Sequence, residues 1–126
     1  RFSGVTGVQT CALPICKYEE LYNDAAEKVD EVAERILQLG SNPESRFSAY
    51  LEVAEIKEAG VVSCSKEAVD LLLDYYKTLI ARERRIIDLA TEAHDDTTVS
   101  LMNDFLVQQE KTVWMLVAVS SQSCAE

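Results

Sequence analysis

Apolar residues recur at intervals of four and three along most of this chain, and four segments hold that rhythm long enough to predict helices. In the first, Tyr18, Tyr22, Ala25, Val29, Val32, Ile36 and Leu39 form one seam, and Gly40 is a natural terminator. The spacing predicts a helix from Lys17 to Leu39. Asn42 before Pro43 predicts a cap and a first turn, opening a short helix to about Glu58 with Phe47, Tyr50, Leu51 and Ala54 on one side. A third helix is expected from Ser65 to Glu92, with Val69, Leu72, Tyr76, Leu79, Ile80, Ile87 and Ala90 as its seam. The last is expected from Asp96 or Thr97 to Val119, turning Met102, Phe105, Leu106, Val113 and Leu116 inward. Scarce Gly and Pro (four and two) favour long helices over strands. The fold class is all-α, with no internal repeat.

The polar positions of the first helix carry the candidate chemistry. At 100° per residue, Asp30 lies roughly 20° and Glu34 roughly 60° around the axis from Glu19, so the three acids make one stripe. Asp30 and Glu34, one turn apart, suit a single metal ion. Glu19 lies about 16 Å away along the axis at about 1.5 Å per residue, too far to join them. An antiparallel copy crossing near the small residues Ala25 and Ala26 would bring its own Glu19 to the pair, so the stripe predicts a metal site shared between two subunits. The plainer reading is a solvated acidic face, because Glu20, Asp24, Glu27 and Glu31 are acids as well.

Charge and cysteine usage narrow the function classes. With 126 residues, the chain is long enough for one domain with a real core. A net charge of −10 repels nucleic acid and anionic membrane, and no Lys/Arg-rich tail offsets it, so DNA binding is not expected. Cys11, Cys16, Cys64 and Cys124 form no CxxC pair and no zinc spacing. Scattered thiols of this kind point to a reducing cytoplasm. No apolar run approaches the ~20 residues that span a bilayer.

Four blocks carry a resemblance to a known family. They are DEVAERILQLGSNP from Asp30, YLEVAEIKEAG from Tyr50, DLLLDYYKTLIARERRIIDLA from Asp70 and LMNDFLVQQEKTVWML from Leu101. In this order and spacing the chain resembles Dps miniferritins, the DNA-protection-during-starvation branch of the ferritin-like superfamily, from about Lys17 to Ala118. The resemblance implies a ferritin-like four-helix bundle lacking its first helix, with the short helix in the middle connection. It implies a di-iron centre between two-fold-related subunits, with Glu19, Asp30 and Glu34 as the ligands from this helix. The implied substrates are ferrous iron and hydrogen peroxide, and the implied assembly is a homo-oligomer, a hollow dodecamer holding ferric mineral. The family also uses a histidine four residues before Glu19, where Ile15 stands here, and another on a preceding helix. Ferritins and bacterioferritins carry Glu-x-x-His pairs instead, and none occurs in this chain.

Residues 1–15, RFSGVTGVQTCALPI, have no helical period and contain Gly4, Gly7 and Pro14. Val5 to Ile15 resembles the translation of a common sequencing-library adapter, without a mismatch. The expected organisation is therefore a non-native leader over 1–16, a partial ferritin-like domain over 17–120 and a tail over 121–126. Val5, Val8 and Leu13 are expected to stay unburied.

His94, the sole histidine, falls between the last two helices and reads as an exposed loop residue. The resemblance places Asp95, Asp96 and Asp104 where the family gathers acids around a three-fold ion pore, although Ser100 stands where an acid is often found and Asp96 suits a helix cap. Arg82, Arg84 and Arg85 form the only basic cluster and are best explained by ion pairs. Trp114 matches a tryptophan that packs near the family's iron site, with core packing as the alternative. Two functions follow. One is iron storage and detoxification by ferroxidase chemistry. The other is a non-catalytic helical assembly protein that kept the fold and lost the metal centre.

Overall fold

Four helices, and no strand among the described residues, make up the computed structural model, which describes the backbone of residues 3–122 and the side chains of residues 16–121. They are α1 (Ser3–Gln38), α2 (Phe47–Val53), α3 (Ser65–Glu92) and α4 (Asp96–Gln122). The chain divides into two units, Arg1–Glu44 and Ser45–Glu126.

The first unit is α1 and its closing turn. Its helix begins at Ser3 rather than at Lys17, which corrects the expected boundary. Once a helix exists, each further residue with an N–H adds one hydrogen bond without a new nucleation step, so helix extends past the end of the amphipathic period even though Pro14 donates none. The burial expected of Val5, Val8 and Leu13 lies outside the described side chains. At the other end Gly40 adopts φ 83°, its N–H donates to Leu37 C=O at 2.9 Å, and Ser41 N–H donates to Ile36 C=O at 3.1 Å. That is a Schellman cap, and the positive φ is why glycine suits the position. The predicted seam of α1 is largely exposed, Tyr22 at 75% and Val29 at 62%. Within its own unit α1 has no second layer on which to bury such a stripe.

In the second unit α2 spans only seven residues, starting after Arg46 rather than at Pro43 and ending well before Glu58. None of its residues is buried, and Phe47 and Tyr50 pack edge to face at 6.2 Å. Contacts of the following segment explain the early end. Lys57 Nζ donates to Ala54 C=O at 2.9 Å, Tyr75 Oη donates to Lys57 C=O at 3.3 Å, and Arg82 Nε donates to Glu55 Oε2 at 2.9 Å. These tie residues 54–57 to α3. One further turn of a marginal short helix offers less.

The core of this unit is the pair α3–α4. Its buried residues on α3 are Val69, Tyr76, Glu83 and Ala90, seven residues apart each time. On α4 they are Thr98, Met102, Phe105, Gln109 and Leu116, four and three apart or seven. Both are coiled-coil seams. Cross-links at Glu83–Gln109 and Arg84–Glu110 set an antiparallel register, which puts Ala90 level with Met102 and Tyr76 level with Leu116. The predicted ends of α3 hold, and α4 starts at Asp96 as expected, continuing to Gln122. Leu79, placed in the predicted seam, is exposed.

The turn between them is short. His94 takes φ 57°, its N–H donates to Thr91 C=O, and Asp95 N–H donates to Ala90 C=O at 2.8 Å, a second Schellman cap. Asp95 then caps α4: Thr98 N–H donates to its Oδ1 at 3.1 Å and the Thr98 hydroxyl to its Oδ2.

Candidate metal centre

Glu19, Asp30 and Glu34 all lie on α1 and all are exposed. Four residues of helix separate Asp30 from Glu34, a rise of about 6 Å on nearly one face. The cations of α1 engage other groups. Lys17 pairs with Glu20 at 2.7 Å, Lys28 pairs with Asp24, and the Arg35 guanidinium donates to Gln38 Oε1 at 3.0 Å. Among the described residues no ion pair involves Glu19, Asp30 or Glu34. Two hard oxygen donors one turn apart suit a divalent cation without selecting which one. Among the described residues no group of three or more His, Cys, Asp or Glu gathers where one ion would reach them all. The single chain therefore brings together Asp30 and Glu34 but not Glu19.

The second acidic group is dispersed. Asp95 spends both carboxylate oxygens on Thr98, so the helix cap expected of Asp96 belongs to its neighbour. Asp96 and Asp104 are exposed and eight residues apart on α4, about 12 Å along the axis, too far to share an ion within one copy. His94 is exposed at the turn, as its loop position suggested. Trp114 is 68% exposed and lies outside the buried α3–α4 seam. Two of the three arginines form ion pairs, Arg82 with Glu55 and Arg84 with Glu110 at 3.1 Å.

Sequence reasoning missed Glu83 and Gln109, the buried polar pair of the seam. Gln109 Nε2 donates to Glu83 Oε1 at 2.7 Å, and the two residues are only 2% and 7% exposed. The signal was available, since Glu83 sits seven residues from both Tyr76 and Ala90.

Comparison with known proteins follows the same lines. Residues 17–122 match the model of the ferritin-like domain. The chain is 50% identical over 106 residues to a DNA protection during starvation protein of Porphyromonas gingivalis, covering 84% of this chain and 67% of that one. It is 32% identical to DNA protection during starvation protein 2 of Bacillus anthracis, covering 84% and 73%. The crystal structure of Dps from Vibrio cholerae, described as a member of a broad superfamily of ferritin-like diiron-carboxylate proteins, superposes with a TM-score of 0.80 at 43% identity. That match covers 82% of this chain and 65% of the other, so the chain spans about two thirds of the length of these relatives. The chain belongs to the ferritin-like family, in its Dps branch. No helix among the described residues is long and apolar enough to cross a membrane.

Proposed function

We propose that this chain acts as a Dps-type iron storage and detoxification protein, binding ferrous ion at a site shared by two copies. The observation that carries the reading is the pair Asp30 and Glu34, exposed one turn apart and outside the ion pairs of α1. An antiparallel second copy supplies Glu19, about 16 Å along the same face. Three carboxylates would hold a pair of ferrous ions and offset most but not all of their charge, and their hard oxygens favour the ferric product. The balanced reaction is two Fe2+ with one H2O2 and two H2O, giving two FeO(OH) and four protons. Each iron loses one electron, and the two electrons break the O–O bond. Peroxide and iron are consumed together, which limits hydroxyl-radical chemistry. Storage of the ferric product implies a hollow homo-oligomeric shell, a dodecamer by the family's pattern, working in the cytoplasm. The Asp95, Asp96 and Asp104 region lies at its ion entrances, and Trp114 lies near the iron site.

One observation favours a second reading, a non-catalytic assembly protein: Ile15 stands where the family places a histidine ligand, leaving an all-carboxylate set. Absorbance growth from ferric product after adding ferrous salt and peroxide separates the two. The ferroxidase reading expects slow oxidation by this chain. It expects faster oxidation when Ile15→His is combined with the helix that precedes it in full-length relatives, and loss of that gain on Asp30→Ala/Glu34→Ala. An assembled, histidine-restored protein that stays inactive would establish the structural reading instead.

A further inference from the structure

The back of α3 carries a groove that neither the α3–α4 core nor the acidic stripe uses. It measures about 530 Å³, lies within the second unit, and its lining includes Glu55, Lys77, Ala81, Arg82 and Arg85. At 100° per residue Ala81 lies roughly 160° around the axis from Glu83, so the groove faces away from α4. The Arg82 guanidinium holds the Glu55 carboxylate through two nitrogens, Nε at 2.9 Å and Nη2, which ties the segment after α2 to the helix and offsets both charges. Most other cations of this acidic chain are engaged too. Lys17, Lys28, Lys66 and Arg84 pair with acids, Arg35 donates to Gln38 and Lys57 to Ala54 C=O. Among the described residues, Lys77, Arg85 and Lys111 make no hydrogen bond or ion pair, although Asp74 and Asp88 stand three residues from the first two. Two of these three cations line the one groove.

We infer that this groove is an anion site for hydrogenphosphate, held between Lys77 and Arg85 over Ala81. The three residues form one i, i+4, i+8 row, so each cation starts about 6 Å along the axis from Ala81. A methyl group at the middle of the row leaves room that a longer side chain would fill. Lys77 brings a point charge on a flexible stem, and Arg85 brings a planar fork that grips two oxygens. Asp74 lines the same groove and repels an anion that has no proton to give. Hydrogenphosphate keeps one O–H at neutral pH, which donates to the Asp74 carboxylate while the remaining oxygens take the two cations. Sulfate carries no such proton, so the same carboxylate turns it away. Outside the Arg82–Glu55 pair the groove has two cations against one acid, which makes it locally positive on a chain of net charge −10.

Calorimetric titration of inorganic phosphate into the iron-free full chain, at low salt, tests the site. The expected result is saturable phosphate binding, with sulfate weaker by about fivefold, the upper end for one exposed charge pair. Lys77→Ala and Arg85→Ala should each weaken phosphate binding by about the same factor. Lys111→Ala, which removes the unpaired cation outside the groove, should change nothing. Asp74→Asn should bring sulfate to the level of phosphate, because an amide donates to either anion. All four positions are exposed, so helical circular dichroism should stay at the parent level. Absence of phosphate binding would overturn the proposal. So would equal affinity of the parent chain for sulfate, or the same loss from Lys111→Ala as from Lys77→Ala, which reports the overall charge and not a site.

Discussion

Gly40 and His94 occupy equivalent backbone positions at the ends of α1 and α3. Each has positive φ, 83° and 57°, and each donates its N–H to a carbonyl three residues back, while the next residue donates five residues back. One helix closes on the residue suited to that conformation and the other on a histidine. Left-handed backbone disfavours residues with a Cβ by roughly 1 kcal/mol or more, so the two caps differ in strain. His94→Gly should raise stability by about 0.5–1 kcal/mol, seen as a higher urea midpoint. Gly40→Ala should lower it by about 1 kcal/mol. A Cβ there meets nothing within 4 Å, so the loss is torsional and not steric.

Asp95 has a role that needs its oxygens rather than its charge. Asp95→Ala should reduce stability by about 1 kcal/mol through loss of the α4 cap, and Asp95→Asn should retain most of it. Thermal melts compare the two. Asp95→Asn also tests the ion entrance, since slower iron uptake at unchanged stability is expected only if the charge guides iron.

Phe105 and Trp114 are both aromatic residues of α4, 4% and 68% exposed. Phe105→Ala should cost about 3 kcal/mol, the lower end for a buried phenylalanine, because no described side chain reaches full burial. Trp114→Ala should stay within about 0.5 kcal/mol in the same chain, as surface changes do. Equal losses in chemical denaturation would contradict the core described above.

Metal binding should depend on chain concentration. No described residues gather three donors within one copy, so titration with ferrous or cobaltous ion should show tighter apparent binding as the protein is concentrated. Asp30→Ala and Glu34→Ala should each abolish that dependence. Both side chains are exposed, so stability should move by no more than about 0.5 kcal/mol. Concentration-independent binding would place the ion elsewhere.

Helix content, the ends of α3 and most buried positions of the α3–α4 pair were legible by themselves: Val69, Tyr76 and Ala90, then Met102, Phe105 and Leu116. A 3.6-residue period is a property of one helix, and one helix's residues display it without a partner. The Asp30–Glu34 spacing was legible for the same reason. Other features belong to the encounter between elements. Glu83 and Gln109 looked like surface residues until the second helix supplied each with the other. Trp114 had an apolar neighbourhood in sequence, yet only the rotation of α4 decided that its face stays outward. α2 ended early because Glu55 and Lys57 found Arg82 and Tyr75, residues about twenty positions away or more. Local periodicity says which residues share a face; which face is covered, and where a helix gives way to a better contact, depends on side chains far apart in the chain, and only the folded pair brings them together.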